Sequence, residues 1–208
     1  MTKKAADKEA LIREAAMKIF AQEGYERAST NQIVKEAGIG KGMLFYYFQN
    51  KYELFATLAE ESMTFVAEDF LQQIDVTEPD FIRRLQETTA LKMKVMEQSP
   101  YVFHFLTTLF SSDLEKLPPH LQEKYQKIYT EGHGRLYQDV DLSFFRTDID
   151  RDKAFHLIQW ALEGYEADLK NRLNQMPPED IDVDATWREF AAYVEVLRTS
   201  FYQKKGVE

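Results

Sequence analysis

Apolar residues recur at helical spacing along nearly the whole chain, and nowhere do they alternate long enough to make a useful strand. From Asp7 to Glu23 the residues Leu11, Ile12, Ala15, Ala16, Ile19 and Phe20 form one stripe, and Gly24 follows as a stop. Ser29 begins a second helix with Gln32 as its capping-box partner, and Gly38 ends it. A short third helix is predicted from about Lys41 to Phe48. Asn50 caps a long fourth helix, with Glu53 in the reciprocal position, reaching about Gln73.

The pattern continues with prolines as punctuation. Thr77-Glu-Pro-Asp80 opens a helix carrying Phe81, Ile82, Leu85, Met93 and Met96, and Pro100 separates it from Tyr101–Phe110. Pro118 and Pro119 start the next, with Leu121, Tyr125, Ile128, Tyr129 and Leu136. A helix opening near Asp150 carries Ala154, Leu157, Ile158, Ala161, Tyr165 and Leu169, and the Pro177-Pro178 pair breaks it. The last carries Trp187, Phe190, Ala191, Val194, Leu197 and Phe201. The predicted class is all-α.

Composition narrows the chemistry. The 208 residues include no cysteine, which excludes disulfides, thiolate nucleophiles and Cys-based zinc sites and fits a cytoplasmic setting. No apolar run follows the N-terminal lysines, so no signal peptide is expected. The longest uncharged stretch, Gln98 to Ser112, is too short and too polar to span a bilayer, so no membrane partner is expected.

Charge divides the chain. Residues 1–51 carry nine Lys/Arg against six Asp/Glu, whereas the whole chain has a formal net charge of -9. This local excess sets the expected domain boundary: 1–51 for one functional unit, 52–208 for the other.

Within the first unit, helix, glycine turn and short helix make a helix-turn-helix pattern. Gly38 suits the left-handed turn, Val34 keeps the helix crossing slim, and Ile39, Leu44 and Phe48 point into the core. Lys41, Gly42, Phe45, Tyr46 and Tyr47 then fall on the outer side of the third helix, the part that enters a major groove in such motifs. Tyrosine offers a hydroxyl to phosphate and a flat face to sugar or thymine methyl, lysine supplies charge, and Gly42 leaves room for close approach. Thr30 offers a hydroxyl and an N–H to phosphate. Phe45 suits either core-edge packing or DNA contact.

Residues 5–55 resemble the DNA-binding domain of the TetR family of bacterial transcriptional regulators, most clearly from Phe20 to Phe55, "FAQEGYERASTNQIVKEAGIGKGMLFYYFQNKYELF". Val34 stands where the family usually has alanine, and Phe45 where it often has tyrosine. The resemblance implies phosphate contacts from Thr30, Tyr47 and Lys51, and contacts to bases or sugars from Lys41, Gly42, Tyr46, Asn31 and Phe45. It also implies a homodimer, paired through the last two helices, that binds a palindromic double-stranded DNA operator. Half-sites would lie about one helical turn of DNA, about 34–36 Å, or somewhat more apart. A small lipophilic or aromatic effector in the second unit would move the helix beginning at Asn50 and release DNA. Polar or aromatic residues on otherwise apolar faces are the expected effector contacts: His104, Tyr129, His133, Trp160, Glu163 and Tyr165.

Other motifs fail on their chemistry. Gly38-Ile-Gly40-Lys-Gly42 follows a helix, not the strand that a phosphate-binding glycine loop requires. Asp139-Val-Asp141 begins like a calcium loop, but Phe144 stands where glycine is needed and Asp150 replaces the bidentate glutamate. His104, His120, His133 and His156 lack metal-ligand spacing, and no serine or threonine has a paired base. No cofactor, metal or catalytic site is expected. The alternative reading is a helical small-molecule carrier or interaction module that does not bind DNA.

Overall fold

The computed structural model describes residues 3–98, 100–173, 175–176 and 180–204, so the expected break at Pro177-Pro178 lies outside the described residues. Nine α-helices are described: α1 (Lys3–Arg27), α2 (Thr30–Glu36), α3 (Lys41–Tyr47), α4 (Lys51–Phe65), α5 (Phe81–Gln98), α6 (Pro100–Thr108), α7 (Pro119–Tyr137), α8 (Arg151–Leu173) and α9 (Val183–Phe201). Extended pairing among the described residues is one antiparallel bridge, Phe145 with Tyr202.

The helix caps form where local sequence provides them. The Gln32 N–H donates to Ser29 Oγ at 3.2 Å while the Ser29 N–H donates to Gln32 Oε1 at 2.8 Å. Asn50 Oδ1 accepts from the Glu53 N–H at 2.9 Å, but Glu53 reaches back to the Gln49 N–H at 2.6 Å rather than to Asn50. Asp80 and Asp150 cap α5 and α8 in the same way. Gly24 bends the end of α1 with φ +69°, and Gly38 turns between α2 and α3 with φ +64°. Only glycine adopts these values at little cost. Two helices end by rewinding: α4 continues as a wide π turn over Val66–Phe70 and a tight 3₁₀ turn to Gln73, and α6 does so over Leu109–Asp113 and Leu114–Lys116.

The chain packs as two compact units, one of residues 1–69 and 96–129, the other of 70–95 and 130–208. This division differs from the charge boundary at residue 51 for a reason of size. Three helices in some fifty residues bury little surface of their own, and such small units are marginal. In the first unit Phe20 and Phe55, from α1 and α4, therefore pack on Phe105 of α6, with ring centroids 6.3 and 5.9 Å away. Around them Ile12, Ile33, Leu44, Leu54 and Leu58 are fully buried.

The second unit centres on Phe81, Ile82, Phe145, Ile158 and Val194. Its polar hub is Arg84, only 1% exposed. The Arg84 guanidinium donates to the carbonyls of Val76 (3.2 Å), Glu78 (2.6 Å), Arg135 (3.2 Å), Leu136 (3.3 Å) and Gln138 (2.7 Å). One cation thus satisfies the unpaired carbonyls at the end of α7 and those of the loop before α5.

Candidate nucleic-acid interface

The α2–α3 pair is anchored by Ile33 and Leu44, both fully buried, and by Phe48. Fixing Leu44 inward dictates what α3 presents outward. Lys41 and Gly42 are exposed, Phe45 is 44% exposed and Tyr46 is 76% exposed. Phe45 therefore stands outside the core, with Lys41 Nζ 6.0 Å from its ring centroid. Space around Gly42 is open, since a Cβ built there meets nothing within 4 Å. Tyr47 is half-buried against the core and packs edge-on to Tyr46 at 5.0 Å. Desolvation and the neighbouring Tyr46 hold the Tyr47 phenol above its ordinary pKa, so it is neutral at physiological pH and can donate to an anion. Thr30 is partly exposed in the first turn of α2, and Asn31 beside it is exposed.

Part of the positive charge described in the first unit is committed. Lys18 pairs with Glu36 at 2.9 Å, Arg13 with Glu9 at 2.6 Å, and Arg27 with Glu23 at 3.3 Å. Among the described residues, Lys35 and Lys41 are exposed lysines here with no carboxylate partner. Lys51 is occupied differently: its ammonium donates to the carbonyls of Tyr25 (2.7 Å), Ala28 (2.9 Å) and Glu26 (3.5 Å).

The turn that Lys51 grips is held from a second side. The Tyr25 N–H donates to Asp113 Oδ2 at 2.9 Å, Lys116 bridges Asp113 (2.6 Å) and Glu26 (3.2 Å), and the Thr108 hydroxyl donates to the Ala21 carbonyl at 2.9 Å. The Asp113 hydrogen bond, followed by desolvation working against it, leaves the Lys116 ammonium above its ordinary pKa. Sequence reasoning missed Asp113, Lys116 and Thr108. A signal existed: Asp113 is the first charge after the uncharged stretch ending at Ser112, where a lone buried carboxylate needs partners.

Of the expected effector contacts, His104 and Tyr129 belong to the first unit and His133, Trp160, Glu163 and Tyr165 to the second. His104 is buried in the first unit beside Phe105 and Leu106, whereas Tyr129 is 60% exposed. In the second unit His133 is exposed and its ring lies 4.5 Å from that of Tyr137. Trp160 is 64% exposed and Glu163 is exposed, both on the open side of α8. Tyr165 packs instead between Phe190 and Tyr193, at 5.7 and 5.2 Å. Burial raises its phenol pKa. One polar group not expected from sequence, the Ser62 hydroxyl, is buried in the first unit without a hydrogen-bond partner. No grouping of three or more His, Asp or Glu suited to a metal occurs among the described residues, and none of their helices is long and apolar enough to cross a membrane.

Comparison with known proteins places this arrangement. Residues 12–58 match the family model described as bacterial regulatory proteins, tetR family. The HTH-type transcriptional regulator SAR2658 of Staphylococcus aureus (strain MRSA252) is 36% identical over 150 residues, 72% of this chain and 78% of that protein. The HTH-type transcriptional repressor AcnR of Corynebacterium glutamicum is 26% identical over 159 residues, 74% of this chain and 77% of its own. Among solved structures, the TetR family protein CprB from Streptomyces coelicolor, in complex with its biological operator sequence, superposes with a TM-score of 0.59. That match has 20% identity and covers 96% of this chain and 90% of that one.

Proposed function

The chain belongs to the TetR family of bacterial regulatory proteins, a family of transcriptional regulators with a DNA-binding helix-turn-helix, and from that premise we propose that it is a ligand-responsive repressor. It binds a palindromic operator as a homodimer and is released by a small lipophilic or aromatic molecule. One observation carries the reading: α3 exposes Lys41, Gly42, Phe45 and Tyr46 together, while Leu44 between them is fully buried. A surface of two large aromatics, a cation and an open glycine is costly to leave in water and suits a groove of sugars, phosphates and thymine methyls. Tyr47 and Thr30 then donate to phosphates at its edge. The repressor AcnR and the operator-bound CprB support the direction of regulation and the kind of target.

Dimerisation is supported by α8 and α9. Leu157, Trp160, Tyr193 and Val196 are 48%, 64%, 53% and 60% exposed, and Gly164 has open space where a side chain would stand. Pairing these stripes across a two-fold axis makes a four-helix bundle. The effector reading is supported by His104 and the unpartnered Ser62 hydroxyl, buried polar groups in an apolar interior.

The test is competition binding. Labelled duplex from the promoter beside the protein's own gene should be retained against an excess of random duplex, and a reporter behind that promoter should fall silent when the protein is expressed. Equal displacement by random DNA, or no retention at low salt, would leave the carrier or interaction-module reading standing.

A further inference from the structure

Lys51 opens α4, the wrong end of a helix for a cation, because the first turn carries the positive pole of the helix dipole. Its side chain lies instead against the carbonyls of Tyr25, Glu26 and Ala28, in the turn that follows the break at Gly24. An ammonium has three N–H donors; the carbonyls of Tyr25 and Ala28 receive two of them at 2.7 and 2.9 Å, and that of Glu26 lies at 3.5 Å. The Tyr25 ring covers the same ammonium with its centroid 4.2 Å from Nζ. A lysine so placed turns its ammonium to the protein's own carbonyls and to a ring face rather than to a phosphate.

We propose that Lys51 is a positioning residue for DNA binding, holding the turn between α1 and α2 and thereby the phosphate-facing start of α2. This rests on the DNA-binding reading above but reassigns the residue within it. Ser29 and Thr30 follow Ala28 directly, so the clamp ends one residue before the capping box that starts α2. Asp113, gripping the Tyr25 N–H, holds the same turn from α6's side. Together they set where Thr30 stands; Lys41, free of any carboxylate partner among the described residues, supplies the charge.

The experiment measures binding of promoter and random duplexes across a salt series, with Lys41→Ala, Lys51→Met and Lys51→Gln beside the parent chain. Losing a phosphate contact lowers the slope of log K against log salt by about one, hence by about two in a homodimer that carries the substitution in both copies. Lys41→Ala should do so. Lys51→Met should bind about tenfold more weakly with the parent slope, the size expected for lost charged hydrogen bonds. Lys51→Gln, which can still donate to two carbonyls but is neutral, should regain most of the affinity. If both Lys51 variants lower the slope by about two, and glutamine is no better than methionine, Lys51 is a phosphate contact and the proposal fails. Should Lys51→Met not fold, the slope of Lys51→Gln decides.

Amide exchange without DNA separates this proposal from the function it rests on. Exchange at Tyr25, Ala28, Gln32 and Ile33 should quicken about tenfold in Lys51→Met and less in Lys51→Gln. Unchanged protection overturns the clamp even if DNA binds. Absence of DNA binding by the parent chain overturns the function and leaves the clamp to be judged by exchange.

Discussion

Asp113 and Tyr25 are 88 residues apart in sequence, yet the carboxylate of one accepts the backbone N–H of the other at 2.9 Å. Asp113 is 3% exposed and also holds Lys116 at 2.6 Å. A buried carboxylate persists only where such partners meet it. The pair ties the rewound end of α6 to the turn that precedes α2, joining the helix-turn-helix to the rest of its packing unit.

Asp113→Ala leaves the Tyr25 N–H buried without its acceptor and should cost about 2–3 kcal/mol, the range for an orphaned buried donor plus a lost charged hydrogen bond. Asp113→Asn keeps an acceptor and should cost less than half as much. Urea unfolding of both variants checks the order. Equal losses would mean that the Lys116 ion pair matters more than the Tyr25 hydrogen bond.

These contacts also mark where sequence reading stops. Ser29 with Gln32, and Asn50 with the Glu53 N–H, were legible because each cap is completed within three residues. The inward set of Leu44 and Phe48, and the outward set of Lys41, Gly42 and Tyr46, followed from helical period alone. Arg84, Asp113 and Lys51 were not legible in the same way. Their partners are main-chain groups remote in sequence, and a backbone carbonyl leaves no residue-type signature. Trp160 shows a related limit: period placed it on an apolar face, but nothing in one chain states whether that face meets its own core or another copy.

Arg84 should be irreplaceable by lysine. A guanidinium offers five donors in a rigid fork, whereas an ammonium offers three from one point. Arg84→Lys should therefore lose about 2 kcal/mol or more and Arg84→Met about 3 kcal/mol or more, since each leaves buried carbonyls unmet. Guanidinium unfolding monitored by circular dichroism measures this. A lysine variant as stable as the parent would remove Arg84 from its place as the second unit's hub.

Tyr202 predicts a loss of stability in base. Its hydroxyl accepts the Ile82 N–H at 3.1 Å, and the residue is 5% exposed. Burial, above all, raises the phenol pKa well above its ordinary value, with Asp80 adding to the rise and the Ile82 N–H and Arg198 opposing it. The fold therefore favours the neutral phenol. Its contribution is fully present below the unfolded pKa of about 10 and is lost as pH rises above it, at about 1.4 kcal/mol per pH unit. Tyr202→Phe cannot ionise, and Ile82 keeps its bond to Asp80 at 3.0 Å. Urea midpoints from about pH 9 to 11 should fall less steeply in Tyr202→Phe than in the parent by about that slope. Parallel lines would show that the phenol ionises as easily folded as unfolded.

Trp160 bears on whether one chain or two meets DNA. An indole 64% exposed on a helix, in line with Leu157 one turn before and an open Gly164 one turn after, is an apolar surface of the size that drives association. Trp160→Glu places a charge in that seam and should raise the dimer dissociation constant about a hundredfold or more, as loss of a central aromatic anchor does. Because α8 buries Ala154, Ile158 and Leu162 on its other side, the fold should survive. Sedimentation velocity on the variant should then show a folded monomer, and its affinity for a palindromic duplex should fall while that for a single half-site holds. A variant that remains dimeric moves the two-fold axis off α8. A parent chain that is monomeric at micromolar concentration removes it altogether.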